Sequence, residues 1–220
     1  MAARLPWRWP IRLPAALARL AHSRRAVAVV EFAIALPVLI ALYMLAFVMS
    51  DMIACSRKVT ITARALTDLA TRSAYLSTNS SNAAYIGTLM AAAQQVLAPY
   101  AASNAVITLS QVQVVDSTHV IVVWSQSYSG STLSSGYTAG TSITTTSGLI
   151  PSLLLPSGST KQSICTTATS LTGDGGSLIY GEVRYAYTPS FWYGSASTIT
   201  FYQPIIMSPR LSASIALVTS

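Results

Sequence analysis

The chain has 220 residues, of which 52% are hydrophobic and only 9% are charged. Soluble globular domains usually carry about 25% charged residues, so this composition argues against an ordinary soluble protein and indicates a membrane segment. The formal net charge is +7. Six arginines precede Ala26, however, and the basic residues after it nearly balance the acidic ones. The positive charge therefore belongs to the N-terminus, and nucleic acid is not an expected partner.

The first two predicted regions are a basic cytoplasmic leader, residues 1–26, and a transmembrane helix, residues 27–50. No charged residue lies between Phe32 and Met49, and residues 27–50 contain only one, Glu31. At 1.5 Å per residue, a helix of this length crosses a hydrocarbon core of about 30 Å. Because arginines crowd the N-terminal flank, the positive-inside rule predicts a cytoplasmic N-terminus and a C-terminal region on the far side. In a bacterium, the chain would be a single-pass protein of the cytoplasmic membrane, with its C-terminal domain in the periplasm or at the cell surface.

Membrane-proximal helices are predicted over residues 51–100. Residues 51–76 contain no Gly or Pro and continue the first helix, which then runs for about 50 residues. The spacing of Arg64, Asp68 and Arg72 allows the acid to pair with a base one turn away on either side. A second helix is predicted from Ser80 or Ser81 to Leu97.

The rest of the chain, residues 101–220, is predicted to be an antiparallel β module, so that the fold class is α+β. Alternation of apolar and polar residues indicates a hairpin of residues 105–115 and 119–128. Long Ser/Thr/Gly-rich loops are expected over 129–176, with one docked apolar segment at 148–156. Strands are expected at 178–187 and 198–207, with an edge strand within 210–220. The predicted sheet has three to five strands.

No pattern in the sequence supports catalysis, and we expect no enzyme activity, metal or cofactor. The two histidines, His22 and His119, are predicted on opposite sides of the membrane, and no phosphate-binding loop or nucleophile elbow occurs. His119 is expected to be a solvated turn residue. Glu182 and Arg184, two residues apart on a strand, share one face of the sheet, and we expect a surface ion pair there.

The two cysteines, Cys55 and Cys165, both lie on the predicted outer, oxidising side of the membrane. This location permits a disulfide between them, which would tie the membrane-proximal helix to the distal domain. Two buried free thiols are the alternative. Reduction would change the electrophoretic mobility only in the first case.

Glu31 is the residue that apolar packing does not explain. A carboxylate costs about 2–3 kcal/mol at the centre of a membrane helix and less near the interface. One interpretation is that Glu31 reaches the interface with its flexible side chain. The other is processing of the chain: cleavage after Ala26 would place a new amino group, on Val27, one helical turn from Glu31.

The residues around Glu31 resemble a known family. Two arginines, a small residue, four apolar residues and Glu-Phe before a long apolar helix resemble the class III signal of type IV prepilins. They are similar above all to TadE/TadG-like proteins of tight-adherence (Flp-type) pilus systems. Three further segments are similar to the C-terminal half of TadE-like proteins, namely Leu149–Pro156, Glu182–Pro189 and Ser208–Ile215.

The resemblance implies a pilin-like architecture and a role in biogenesis or anchoring of a pilus. A prepilin peptidase would cleave between Ala26 and Val27, although Ala26 departs from the glycine usual before the cleavage site. Glu31 would pair with the N-terminal amine of a neighbouring subunit and set the register of assembly. The implied partners are the lipid bilayer, the peptidase and other pilin-like or assembly subunits.

Two other readings stay open at this point. The chain could be an uncleaved single-pass anchor that displays a periplasmic binding module. It could instead be a lipoprotein attached through Cys55, since Met52-Ile-Ala-Cys55 ends in the small residue and cysteine of a lipobox. Met52 is a poor match for the usual leucine, and the apolar run exceeds the roughly 7–15 residues of a secretory signal.

Overall fold

The protein is described by a computed structural model that covers residues 24–145, 148–155, 176–189 and 198–219. Its first element is a helix of 48 residues, α1 (Arg24–Thr71), which continues through Pro37. The contacts divide the chain into two units, Met1–Met49 and Ser50–Ser220. The predicted long apolar helix followed by an antiparallel sheet is thus confirmed at the level of an α+β fold.

In its described residues, the second unit contains the C-terminal part of α1, a second helix and mainly antiparallel strands. After α1 come β1 (Tyr75–Ser77), α2 (Ile86–Gln95), β2 (Ala105–Val114), β3 (His119–Ser129), β4 (Thr132–Ser135), β5 (Ser142–Thr144), β6 (Ser177–Tyr187), β7 (Ile199–Met207) and β8 (Ala216–Val218). Single 3-10 turns occur at Ala102–Asn104 and Ser152–Leu154.

Both helices of this unit are shorter than predicted, for different reasons. The first ends at Thr71 rather than near residue 76, because Tyr75–Ser77 pairs with β8 as a strand. The second begins at Ile86, later than Ser80 or Ser81, because the side chains of Asn79 and Asn82 each accept a hydrogen bond of 2.9 Å from the backbone N–H two residues on. Such turns satisfy the backbone locally and compete with helix formation.

The main sheet has the strand order β4-β3-β2-β6-β7, with β5 also paired to β3, and every pairing is antiparallel. The predicted hairpin and the two later strands are confirmed. The described part of the sheet has six strands rather than three to five, since two short strands form within the expected loop region. The segment predicted as an edge strand is β8, which pairs in parallel with β1 instead of joining the main sheet.

A β-bulge in β3 decides which side chains of that strand face the helices. Gln111 lies opposite Trp124, whereas Val112 lies opposite Val122, so that Val123 is the extra residue. A bulge shifts the alternation of side chains by one position. The indole N–H of Trp124 consequently reaches the Oε1 atom of Gln111 at 2.9 Å and the carbonyl of Ile215 at 2.7 Å.

The hydrophobic core lies on both faces of the sheet. On one face, α1 contributes a stripe of fully or almost fully buried residues at helical spacing, Cys55, Val59, Ala63, Leu66 and Ala70, which pack with Ile107, Leu109, Ile179 and Val183. The other face carries Val112, Val114, Val120, Val122, Leu178 and Tyr180, covered by Ile150. The docking of the apolar segment over residues 148–155 is therefore confirmed through Ile150. Leu153, in contrast, is 91% exposed.

The C-terminal segment around Arg210 contacts the C-terminal end of α1 at Asp68 and Thr71. The carboxylate of Asp68 contacts Arg72 at 2.7 Å, as predicted, and its second partner is Arg210 at 2.7 Å instead of Arg64. The backbone N–H of Arg210 also donates to the carbonyl of Thr71 at 3.0 Å. Because both arginines are more than half exposed, these ion pairs position the segment more than they stabilise the fold.

Candidate functional site

The N-terminal part of α1 exposes an unusual amount of apolar surface. Every described side chain from Val27 to Met49 is exposed except that of Val48, which is half-buried. Among the described residues, α1 is the one helix whose length and composition are sufficient to cross a membrane. A surface of this kind is unfavourable in water and suited to lipid or to other apolar helices. The chain is thus compatible with a single-pass membrane protein.

Glu31 lies on this exposed apolar segment. Its side chain is exposed, and within the described part of the chain no hydrogen-bond or ion-pair partner contacts it. It lies four residues after Val27 on the helix, which places the two residues on the same face. The leader up to residue 23 and the side chains of residues 24–26, including that of Ala26, lie outside the described region. Cleavage between Ala26 and Val27 therefore stays a prediction.

Asp51, the first charged residue after the apolar segment, is fixed within the second unit. Its Oδ1 atom accepts a hydrogen bond of 2.9 Å from the hydroxyl of Tyr100, and its Oδ2 atom accepts one of 2.5 Å from Tyr187. The ring of Tyr100 packs edge-on against Tyr185, with centroids 6.2 Å apart. The sequence offered only a weak signal for this cluster, an acid directly after the span and tyrosines at alternate positions of β6.

The environment of Asp51 disfavours ionisation of both phenols. Burial, followed by the hydrogen bond to the Asp51 carboxylate and its negative charge, raises the pKa of Tyr100 from 10.0 to about 12. The same causes, in the same order, raise the pKa of Tyr187. Each hydroxyl must stay protonated to donate to Asp51, so that the cluster depends on neutral tyrosines.

Alkaline pH should therefore destabilise the folded domain. The unfolded chain ionises Tyr100 near pH 10, whereas the folded chain holds it neutral up to about pH 12. The stability contributed by the raised pKa is fully present below pH 10 and is lost as pH rises through this window. We expect the urea midpoint of the detergent-solubilised chain to fall between pH 10 and 12, measured by tryptophan fluorescence. The urea midpoint of Tyr100→Phe should fall less steeply with pH. Identical pH dependence of the midpoint in the two chains would refute the contribution of Tyr100.

His119 begins β3 directly after the hairpin turn, and its side chain is 44% exposed. Its Nδ1 atom lies 2.9 Å from Oδ2 of Asp116, whose Oδ1 atom accepts the backbone N–H groups of Thr118 and His119 at 2.7 and 2.8 Å. Desolvation alone would raise the pKa of Asp116, but the hydrogen bonds from Thr118 and His119 outweigh it and lower that pKa to about 2. No group of three potential metal ligands occurs in the described ranges.

The two cysteines are placed only in part. Cys55 is completely buried, in the stripe of α1 that faces the sheet. Cys165 lies outside the described residues, so that a disulfide between the two stays a prediction. Within the described residues, Cys55 is a free, buried thiol.

The expected surface ion pair of Glu182 and Arg184 is wrong. Glu182 is only 2% exposed, and it accepts hydrogen bonds from the hydroxyls of three tyrosines, Tyr137, Tyr180 and Tyr202. No ion pair between Glu182 and Arg184 is present in the described structure; the guanidinium of Arg184 lies over the ring of Tyr202, 5.0 Å from its centroid. Tyr180 lies on β6 itself, two residues before Glu182. The other two tyrosines come from the neighbouring strand β7 and from the segment after β4, which a reading of β6 alone could not reveal.

Comparisons with known proteins provide no relative for the chain: no family model, no curated protein and no solved structure matches it. The resemblance of its N-terminal signal and C-terminal segments to TadE/TadG-like proteins therefore stays a prediction that rests on the residues themselves.

Proposed function

We propose that this chain is a pseudopilin-like, single-pass protein of the bacterial cytoplasmic membrane that takes part in biogenesis or anchoring of a tight-adherence pilus. In this proposal the leader is cytoplasmic and the unit Ser50–Ser220 lies in the periplasm or at the cell surface. The proposal combines the prepilin-like residue pattern around Ala26 and Glu31 with the exposed apolar segment of α1.

The single observation that carries the proposal is the position of Glu31. Its carboxylate is exposed on an apolar helix segment and has no partner among the described residues. In a membrane, an isolated carboxylate is costly and gains free energy from an ammonium group nearby. The amine that cleavage would create on Val27 has a reference pKa of about 7.7–8.0 and is protonated at neutral pH. Pairing between neighbouring subunits would neutralise both charges.

The two alternative functions predict that the mature chain begins at a different residue from the Val27 of this proposal. An uncleaved anchor keeps the leader, and in it Glu31 only reaches the membrane interface. A lipoprotein begins at Cys55, and its thiol carries the lipid. Complete burial of Cys55 within a continuous helix does not favour that chemistry, because its sulfur is inaccessible and its backbone is held in the helix.

Intact mass spectrometry of the membrane-extracted chain tests the proposal directly. Expressed together with a tight-adherence prepilin peptidase, the chain should lose Met1–Ala26 and begin at Val27. A peptidase with its catalytic aspartates replaced should leave the chain intact. Ala26→Leu, which adds bulk before the cleavage site, should reduce processing, whereas Ala28→Leu serves as the control of equal chemistry beyond it. An intact chain with the active peptidase would support the uncleaved anchor instead.

A further inference from the structure

A polar cleft opens on the face of the main sheet that points away from the helices. It has a volume of about 280 Å³ and is lined by Val106, Thr108, Ser127, Ser135, Tyr137 and Arg184, with Glu182 beneath. The strand register brings the residues at the base of the cleft together. Val106 lies opposite Arg184, and Thr108 lies opposite both Glu182 and Ser127. Four adjacent strands, β6, β2, β3 and β4, thus contribute to one site.

The cleft contains one carboxylate, Glu182, and one cation, Arg184, and only the cation is exposed. Glu182 is buried, and three phenolic hydroxyls donate to its two oxygens. Arg184 is exposed, and its one hydrogen bond to a described residue is a long one, 3.4 Å, to the hydroxyl of Tyr137. Most of the five N–H donors of the guanidinium are therefore available, in the planar arrangement that binds carboxylates with two hydrogen bonds. The cation–π contact with Tyr202 holds the guanidinium in place.

The remaining walls of the cleft are rich in hydroxyl groups. The hydroxyls of Thr108 and Ser127 lie 3.4 Å apart, so that one of them still has a hydrogen to donate. The hydroxyl of Ser135 is exposed and makes no hydrogen bond to the described residues. Val106, 38% exposed, adds a small apolar surface. Hydroxyl donors around one apolar contact are suited to a polyol ring, which has both hydroxyl groups and C–H surface.

We propose that this cleft binds a sugar acid, with the carboxylate on Arg184 and the ring hydroxyls on Thr108, Ser127 and Ser135. The volume lies just below the range of about 300–1,000 Å³ typical of drug-sized pockets, which favours a single ring over an oligomer. Gly136 allows this narrow geometry: a Cβ there would overlap the Oγ atom of Ser125, so that the chain passes directly over the sheet. The site does not depend on how the N-terminus is processed.

Titration of the full-length chain in detergent micelles with D-galacturonate, followed by amide NMR, tests this site. We expect a Kd near 1 mM, roughly the affinity of a ligand of this size, with shifts centred on Val106, Gly136 and Arg184. D-galactose, which lacks the carboxylate, and acetate, which lacks the ring, should each bind at least about tenfold more weakly. Acetate binding as tight as that of galacturonate would overturn the sugar acid.

Two variants locate the binding independently. Arg184→Gln should weaken galacturonate binding by at least about tenfold, whereas Arg210→Gln, a change of the same charge at the Asp68 ion pair, should leave it unaltered. Ser135→Trp fills the cleft from an exposed position on β4 and keeps Arg184 in the chain, and it should abolish binding while the spectrum stays folded. Unchanged affinity in either Arg184→Gln or Ser135→Trp, or no binding by the unmodified chain, would refute the proposal.

Discussion

Replacement of Glu31 by glutamine should abolish assembly while membrane insertion is retained. Glutamine keeps the size and polarity of the side chain but lacks the charge that would pair with the amine of Val27 in a neighbouring subunit. Loss of one partner of a desolvated ion pair costs about 3–5 kcal/mol, which corresponds to a more than hundredfold weaker association. Insertion should be slightly easier, because a neutral amide enters a membrane at lower cost than a carboxylate.

Two measurements separate assembly from insertion. Resistance to alkaline carbonate extraction reports insertion, and fluorescence energy transfer between labelled, leader-cleaved chains in lipid vesicles reports association. Tyr43→Phe is the matched control, since it removes a polar atom from a side chain that is 66% exposed on the same segment. Association of Glu31→Gln at the level of the control would assign Glu31 to interface anchoring and remove its assembly role. Pilus counts in cells should follow the association data.

Replacement of Gly181 by alanine should destabilise the second unit by about 1–3 kcal/mol, the usual cost of overpacking a core. Gly181 lies on β6 under α1, where a Cβ atom would overlap the Oγ1 atom of Thr67. That hydroxyl is itself held in place, because it donates a buried hydrogen bond of 2.8 Å to the carbonyl of Ala63. Neither α1 nor β6 can move aside without loss of core contacts.

A double-mutant cycle identifies the cause of this destabilisation. Thr67→Ala removes the overlapping hydroxyl, and the next nearest atoms, Leu66 Cδ2 and Thr67 Cβ, would lie at an ordinary contact distance of 3.5 Å. The pair Thr67→Ala/Gly181→Ala should therefore be more stable in urea than the sum of the two single changes predicts. Additive effects would show that the close approach of helix and strand does not limit stability. Folding is measured with the full-length chain in detergent.

Elements with a strong local pattern were predictable from the sequence. The apolar run around Phe32 and Met49, the alternation in 105–128 and the turn at Asp116 each depend on neighbouring residues alone. The predictions that were wrong concern the end of α1 and the number of strands, which depend on residues far apart along the chain. Thr71 ends its helix because β8, far along the chain, takes up Tyr75–Ser77, and the short strands β4 and β5 exist only because β3 offers them an edge.

The candidate sites also differ in whether they depend on consecutive residues or on residues far apart along the chain. By itself, the sequence determined that one carboxylate, Glu31, lies in an apolar helix, and it supplied the pattern that suggests processing at Ala26, because both are properties of consecutive residues. Only the tertiary structure decided the environment of Glu182. Its side chain is buried and accepts hydrogen bonds from tyrosines, and it is not paired with Arg184 at the surface. The physical reason is that a buried charge is stabilised by whichever donors converge on it, and here two of the three donors come from residues 45 and 20 positions away along the chain.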